Sequence, residues 1–190
     1  MILVAGVTAS VLIQTMDSLQ EQAMSTGIET IRDVSSGLKV THVSGYSDGS
    51  DITQLAIFVT PIAASNDLDL DYAYISLSDS STKVILNFSS SEYSSSVSNG
   101  LFSTVNSSNL TSSTYGILVV RDVDSSCGSN TPVINDGDLV VLLVNTTQCF
   151  SGIDTRDEVF GTVDPEFGIS GVIGFTAPSS FSSTILDLQP

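Results

Sequence analysis

At 190 residues the chain is long enough for one β domain of about 150 residues plus a terminal segment. Its charge is almost all acidic, 21 Asp and Glu against 5 Lys and Arg for a net −16, which excludes a nucleic-acid partner and disfavours an anionic membrane surface. Charged residues make up only 14% while mean hydropathy stays at +0.30, because Ser and Thr stand where charges usually do; that pattern points outside the cell.

Residues 1–36 form the first unit and residues 37–190 the second. The chain opens on MILVAGVTASVLI and runs on without a Pro through QTMDSLQEQAMSTGIETIRDVSSG. The apolar run is shorter than the roughly 20 residues a bilayer span needs, and it lacks the basic cluster and cleavage site of a secretory signal. Leu12, Met16, Leu19 and Ala23 follow a 4-3-4 spacing, and the stripe then shifts by one residue to Met24, Ile28 and Ile31. With Val4, Val7 and Val11 upstream, these are the candidate helix-packing residues. Before Leu12 only Thr8 and Ser10 interrupt the apolar surface, so the helix must be surrounded by lipid or by other helices. About 35 residues at ~1.5 Å each span about 50 Å, too long to lie along one small domain. Arg32 suits the negative end of the helix dipole and Gly37 the stop; Gly6 and Gly27 permit close approach or a bend.

From Leu38 the period changes to two. LKVTHVSGY, QLAIFVTP, TKVILNF, YGILVVRD, DLVVLLVN, DEVFGTV, GVIGFT and STILDL read as strands between turn signals. In DLDLDYAYISLSD, Leu68, Leu70, Tyr72 and Tyr74 share one face before the parity switches at Ile75 and Leu77, which predicts a bulge near Ala73. Residues 89–114, dominated by Ser, Thr and Asn, read as a long surface loop or a weak hairpin. Eight or nine strands after one helix predict an α+β chain: a long N-terminal α-helix followed by an antiparallel β-sandwich or barrel.

Two cysteines, Cys127 and Cys149, flank a Val/Leu-rich strand. A disulfide between them, worth about 3 kcal/mol by loop entropy, fits an extracellular chain; the alternative is two buried thiols. Asn87, Asn106, Asn109 and Asn145 begin Asn-x-Ser/Thr sequons, candidates for N-linked glycans. Asp67, Asp69 and Asp71 alternate along one stretch. Asp122, Asp124 and Asp138 lie in two neighbouring loops and are the carboxylates to consider for a divalent cation, although their spacing is not that of a helix-loop-helix calcium site. No cofactor is required by any motif. His42 is the sole histidine, and neither a nucleophile elbow nor a phosphate loop is present, so the chain reads as no enzyme and as having no small-molecule substrate.

Three stretches carry a family resemblance. MILVAGVTASVLIQT…LQEQAMSTGIET…VSSGLKVTHVSGY at one end and TRDEVFGTVDPEFGISGVIGFTAPSSF…ILDLQ at the other resemble the archaellins, the archaeal flagellins, and INDGDLVVLLVN is similar to that family's penultimate strands. The match covers roughly residues 1–60 and 115–190. The run Arg156…Gly161…Pro165-Glu166-Phe167-Gly168…Gly171-Val172 is its most specific part. The resemblance implies a type IV pilin-like subunit whose N-terminal helices bundle into a filament core, with immunoglobulin-like β-sandwich heads as the outer wall. It further implies an extracellular filament for swimming motility, turned by a cytoplasmic ATPase motor. Its partners are then other copies of itself, other archaellins, and a membrane before assembly. Family members are often N-glycosylated and are made with a short basic leader that a peptidase removes. That leader and the first dozen apolar residues of the pattern would precede Met1. A static adhesive pilus or a helix-anchored surface adhesin shares the same plan and is the second reading; the C-terminal run favours the archaellin.

Overall fold

The computed structural model describes residues 2–63, 65 and 67–190, so Met1 of the opening run lies outside the described residues. Helix α1 is continuous over Ile2–Ser35, 34 residues with Arg32 in its last turn. It carries no interior proline, and its long unbranched residues lose little rotamer freedom in a helix.

The remaining chain folds as a β head. Its strands are β1 (Leu38–Ser47), β2 (Ile52–Pro61), β3 (Leu68–Asp69), β4 (Tyr74–Ser78), β5 (Lys83–Ser94), β6 (Thr114–Arg121), β7 (Val133–Ile134), β8 (Leu139–Asn145), β9 (Glu158–Asp164), β10 (Gly171–Thr176) and β11 (Ile185–Gln189), with a one-turn helix α2 (Thr146–Phe150) after β8. Nine of the strands form one sheet in the order β10-β9-β4-β5-β6-β8-β2-β1-β11, and β3 pairs with β7. The sheet folds over on itself. Ile75, Leu77, Leu86, Val159, Val163 and Ile173 from its first half meet Leu55, Ile57, Ile117, Val140 and Leu142 from its second in one core. Alternation along β2 places Leu55, Ile57 and Val59 inward, as the two-residue period predicts.

The two edges of the sheet are stitched by one side chain. Gln189 accepts a hydrogen bond from the Gly174 N–H at Oε1 (2.9 Å), and its Nε2 donates to the Val172 carbonyl at 3.3 Å. The last residue of β11 thereby satisfies the open edge of β10 in place of a further strand.

Three features depart from the sequence reading. Residues 68–78 are not one bulged strand. Leu68 and Leu70 are buried, but the Ala73 N–H closes a turn onto the Leu70 carbonyl and Tyr72 is turned out to solvent. The parity switch marks a turn between two strands of different sheets. Asp69 helps to make it, accepting the Asp71 N–H at 2.9 Å. Second, β5 and β6 pair in parallel, the one such pair among the strand pairings of this largely antiparallel sheet. A parallel pair needs a crossover, and the Ser/Thr/Asn-rich segment supplies it.

Third, that segment is more than a surface loop. It lays Phe102, Val105 and Leu110 on the outer face of β2, β6 and β8, against Ala56, Leu118, Val141 and Leu143. Both faces of these strands are therefore covered, which is why GILVV and LVVLLV are unbroken apolar runs rather than alternating ones. The close fit requires a glycine: a Cβ on Gly116 would lie 2.8 Å from the Glu92 carbonyl oxygen. Phe102→Ala is expected to cost about 3 kcal/mol in denaturant unfolding, whereas Val97→Ala in the same segment stays within about 0.5 kcal/mol. Equal costs would show that the segment does not seal the sheet.

Candidate assembly surface and its junction with the head

Every described side chain of α1 from Val4 onward is exposed. Val4, Val7, Val11, Leu12, Met16, Leu19, Met24, Ile28 and Ile31 keep between 56% and 69% of their surface in solvent, and Ala23 is exposed with them. The head has its own closed core and takes none of them. Three of the polar interruptions are neutralised internally. The hydroxyls of Thr8, Thr15 and Thr30 donate to the carbonyls of Val4, Val11 and Thr26 at 2.9, 2.8 and 2.7 Å. These threonines can thus enter an apolar contact without an unsatisfied donor, a property that residue spacing does not reveal. Among the described residues no helix is long and apolar enough to cross a membrane.

The helix is socketed in the head by backbone contact. The Ile169 N–H donates to the Ser36 carbonyl (2.9 Å), the Leu38 N–H to the Ile169 carbonyl (2.8 Å), and the Ile62 N–H to the Gly37 carbonyl (2.9 Å). Such an approach leaves no room for side chains. A Cβ on Gly37 would lie 2.6 Å from the Ile169 oxygen, and one on Gly168 would lie 2.2 Å from the Ser36 oxygen. Gly168 also adopts φ +92°, which favours glycine. Beside these bonds the Arg32 guanidinium lies 3.4 Å from the centre of the Phe167 ring, a cation–π contact of about 0.5–1 kcal/mol at an exposed site. Glu29, Asp33 and Glu166 line the groove around it. The Pro165–Gly168 run is therefore the socket itself. Its place opposite Ser36 and Gly37 was hidden in the sequence, where the only signal was a glycine at each of two distant positions.

The structure separates the sequon candidates. Asn87, Asn106 and Asn109 are exposed, although the Asn109 amide donates to Glu92 at 2.8 Å. The fourth sequon candidate, Asn145, is not at the surface. It is 8% exposed and caps α2, its Oδ1 accepting the Thr147 and Gln148 N–H groups and its Nδ2 donating to the Ser107 carbonyl at 2.8 Å. Its burial, which Asn109 does not share, keeps this amide nitrogen from being presented for glycosylation.

The Cys127–Cys149 disulfide is likewise corrected: both residues are buried free thiols. Cys127 sits beside Asp122 and Asp138 where β8 begins, and Cys149 lies in α2 past its end. The seven residues of β8 hold those ends about 23 Å apart at ~3.3 Å each, far beyond the ~7 Å between Cα atoms that a disulfide tolerates. Burial pushes the Cys127 thiol up to about 12 and the Cys149 thiol up to about 11.

Asp122, Asp124 and Asp138 do converge, each offering an oxygen within 4.8 Å of the others. The same carboxylates organise their loop. Asp122 accepts the Ser125 and Cys127 N–H groups, Asp138 accepts those of Val123 and Asn135, and Asp124 accepts the Asn135 amide at 2.7 Å. The Asn135 bond leads the hydrogen bonds that hold the Asp124 carboxyl below its ordinary value. Through β8, β2 and β1 the cluster lies at the end of the head nearest α1, since Val140 pairs with Val59 and Leu38 with Pro61.

A long exposed helix fixed by backbone bonds to a closed β head is the plan of a filament subunit. The comparisons with known proteins agree. The chain matches the family model of archaeal-type flagellin over residues 1–175. It is 40% identical to flagellin B2 of Methanocaldococcus jannaschii, an alignment that covers all of this chain and 89% of that one. It is 39% identical to flagellin B1 of Methanococcus voltae with the same coverage. The crystal structure of archaeal flagellin FlaB1 from M. jannaschii superposes with a TM-score of 0.75 at 37% identity, over 81% of this chain and 97% of that one. The archaeal flagellum of Methanospirillum hungatei superposes with a TM-score of 0.68 over 100% of this chain and 92% of that one; at 13% identity this likeness concerns the fold alone. The chain belongs to the archaeal-type flagellin family. As such it is a structural subunit of an extracellular motility filament, not an enzyme.

A thiol-specific alkylating reagent is expected to label neither cysteine in the native chain and both after denaturation without reductant. An intact mass 2 Da lower, with no labelling on denaturation, would restore the disulfide.

Proposed function

We propose that the chain polymerises by bundling α1 with the α1 helices of neighbouring copies, the heads forming the outer wall of the filament. The observation that supports this reading is the unbroken exposed apolar surface of Val4, Val7, Val11, Leu12, Met16, Leu19, Ala23, Met24, Ile28 and Ile31 on a helix that the head does not cover. Fully burying each larger side chain contributes about 1.5–3 kcal/mol, so the sum exceeds the cost of ordering one subunit. Other archaellins with the same helix surface can join the bundle. Before assembly the apolar half of α1 requires an apolar medium, which the membrane supplies. Leu12→Asp and Met16→Asp are each expected to abolish filaments by electron microscopy while leaving the head's unfolding midpoint unchanged. Filaments of normal length from either variant would overturn the bundle.

Two modifications accompany this reading. Asn87, Asn106 and Asn109 are exposed and are the proposed carriers of N-linked glycans. A divalent cation is proposed between Asp122, Asp124 and Asp138, where Asp122 Oδ2 and both carboxylate oxygens of Asp124 and Asp138 each accept one N–H and retain a lone pair. Mass spectrometry of native filaments is expected to find a glycan on at least one of the three asparagines, and calcium to raise the melting temperature of the chain but not of Asp124→Asn. Unmodified asparagines throughout, or identical calcium responses, would remove the respective proposal.

A further inference from the structure

We propose that the outer face of β10, β9, β4 and β5 is the contact through which one head packs against the head of another copy in the filament. Cross-strand register places Val172 beside Thr162, Phe160 beside Gly174 and Ser78, Ile85 beside Ser76, and Tyr74 beside Asn87, all on one face. Val172, Phe160, Ile85 and Tyr74 are the large apolar side chains of that face and remain 41% to 66% exposed. Small residues separate them, so the surface is low and flat. The opposite side of the sandwich, over β2, β6 and β8, is sealed by the chain's own 95–113 segment, whereas nothing among the described residues covers this side.

Three observations select a second copy as the occupant. The face begins at the socket: Ile169, whose backbone bonds to Ser36 and Leu38, lies two residues before β10 and is itself exposed. Copies that bundle through α1 necessarily bring this region together, and to that extent the inference rests on the bundle reading. In a chain of net −16, copies meet most cheaply where charge is sparse. Here Glu158 and Asp164 are offset in part by Lys83, one of only five basic residues in the chain. Finally, a helical filament requires heterologous contacts, in which one patch meets a different surface of the next copy, and a single unsealed apolar face supplies such a patch.

Maleimide footprinting tests this on the full chain. The native thiols are buried and raised, so they contribute little background. Cysteine is introduced in separate variants as Phe160→Cys, Val172→Cys and, as a control on the sealed side, Val97→Cys. Labelling rates are compared between assembled filaments and dissociated subunits. At positions 160 and 172 assembly is expected to slow labelling at least tenfold, and at position 97 to change it less than twofold. Equal rates in both states at 160 and 172 overturn the face contact. The bundle is judged separately by Leu12→Asp: filaments that still form with that variant sink the bundle, while protection at 160 and 172 in wild-type-helix filaments is read independently of it.

Discussion

The constraint on which the rest of the structure depends is the apolar surface of α1 that the chain cannot bury in itself. A 34-residue helix reaches about 50 Å, and the head behind it is already closed around its own core. Water in contact with ten such positions carries a free-energy penalty of order 1.5–3 kcal/mol for each large side chain. Only an external apolar medium or other helices remove it. The monomer is therefore an incomplete object, and polymerisation completes it. The inward-turned threonine hydroxyls of α1 show the same design at the level of single polar atoms, since none demands water once the surface is covered.

A helix that bundles sets the filament only if its direction is tied to the head. The socket does this with backbone hydrogen bonds rather than long side chains. Ser36, Gly37 and Leu38 interlock with Gly168 and Ile169 at distances that exclude a Cβ, and the stacked Arg32 and Phe167 add a lateral brace. Backbone contact has few rotamers to lose and little slack, so the angle between helix and head is held by geometry. Gln189 acts similarly at the far edge of the sheet, replacing a missing strand with one amide.

Much of this was legible from residue order. The helix, its seam, its end before Gly37 and most strands follow from periodicity and turn residues, because each depends on local burial. What was not legible depends on long-range placement. The parity switch at Ala73 has the same sequence signature whether the chain bulges or turns, and only the burial of Leu70 beside an exposed Tyr72 decides between them. The Ser-rich segment hid its role because three apolar residues, Phe102, Val105 and Leu110, suffice to seal a sheet face. Cys127 and Cys149 looked pairable because they flank one strand, yet flanking a strand is what keeps them apart. Asn145 carried a sequon and a helix cap in the same side chain, and sequence cannot rank the two. The acidic trio converged as spacing suggested, but its tie to the helix-proximal end required the pairing of β8, β2 and β1.

Charge distribution reconciles polymerisation with a net −16. The described part of α1 carries no charged residue before Asp17, and the 95–113 segment carries none at all. Several of the acids instead lie in turns, where they accept backbone N–H groups: Asp48 takes those of Ser50 and Asp51, and Asp122 and Asp138 do the same at the helix-proximal end. Acids placed this way stabilise the head locally and leave the apolar helix and the β10-β9-β4-β5 face nearly free of repulsion. Acids also gather where α1 meets the head, with Glu29, Asp33 and Glu166 around the socket and Asp122, Asp124 and Asp138 at the same end. Screening by salt or a hard cation at that end therefore lowers the cost of bringing the acids of neighbouring copies together.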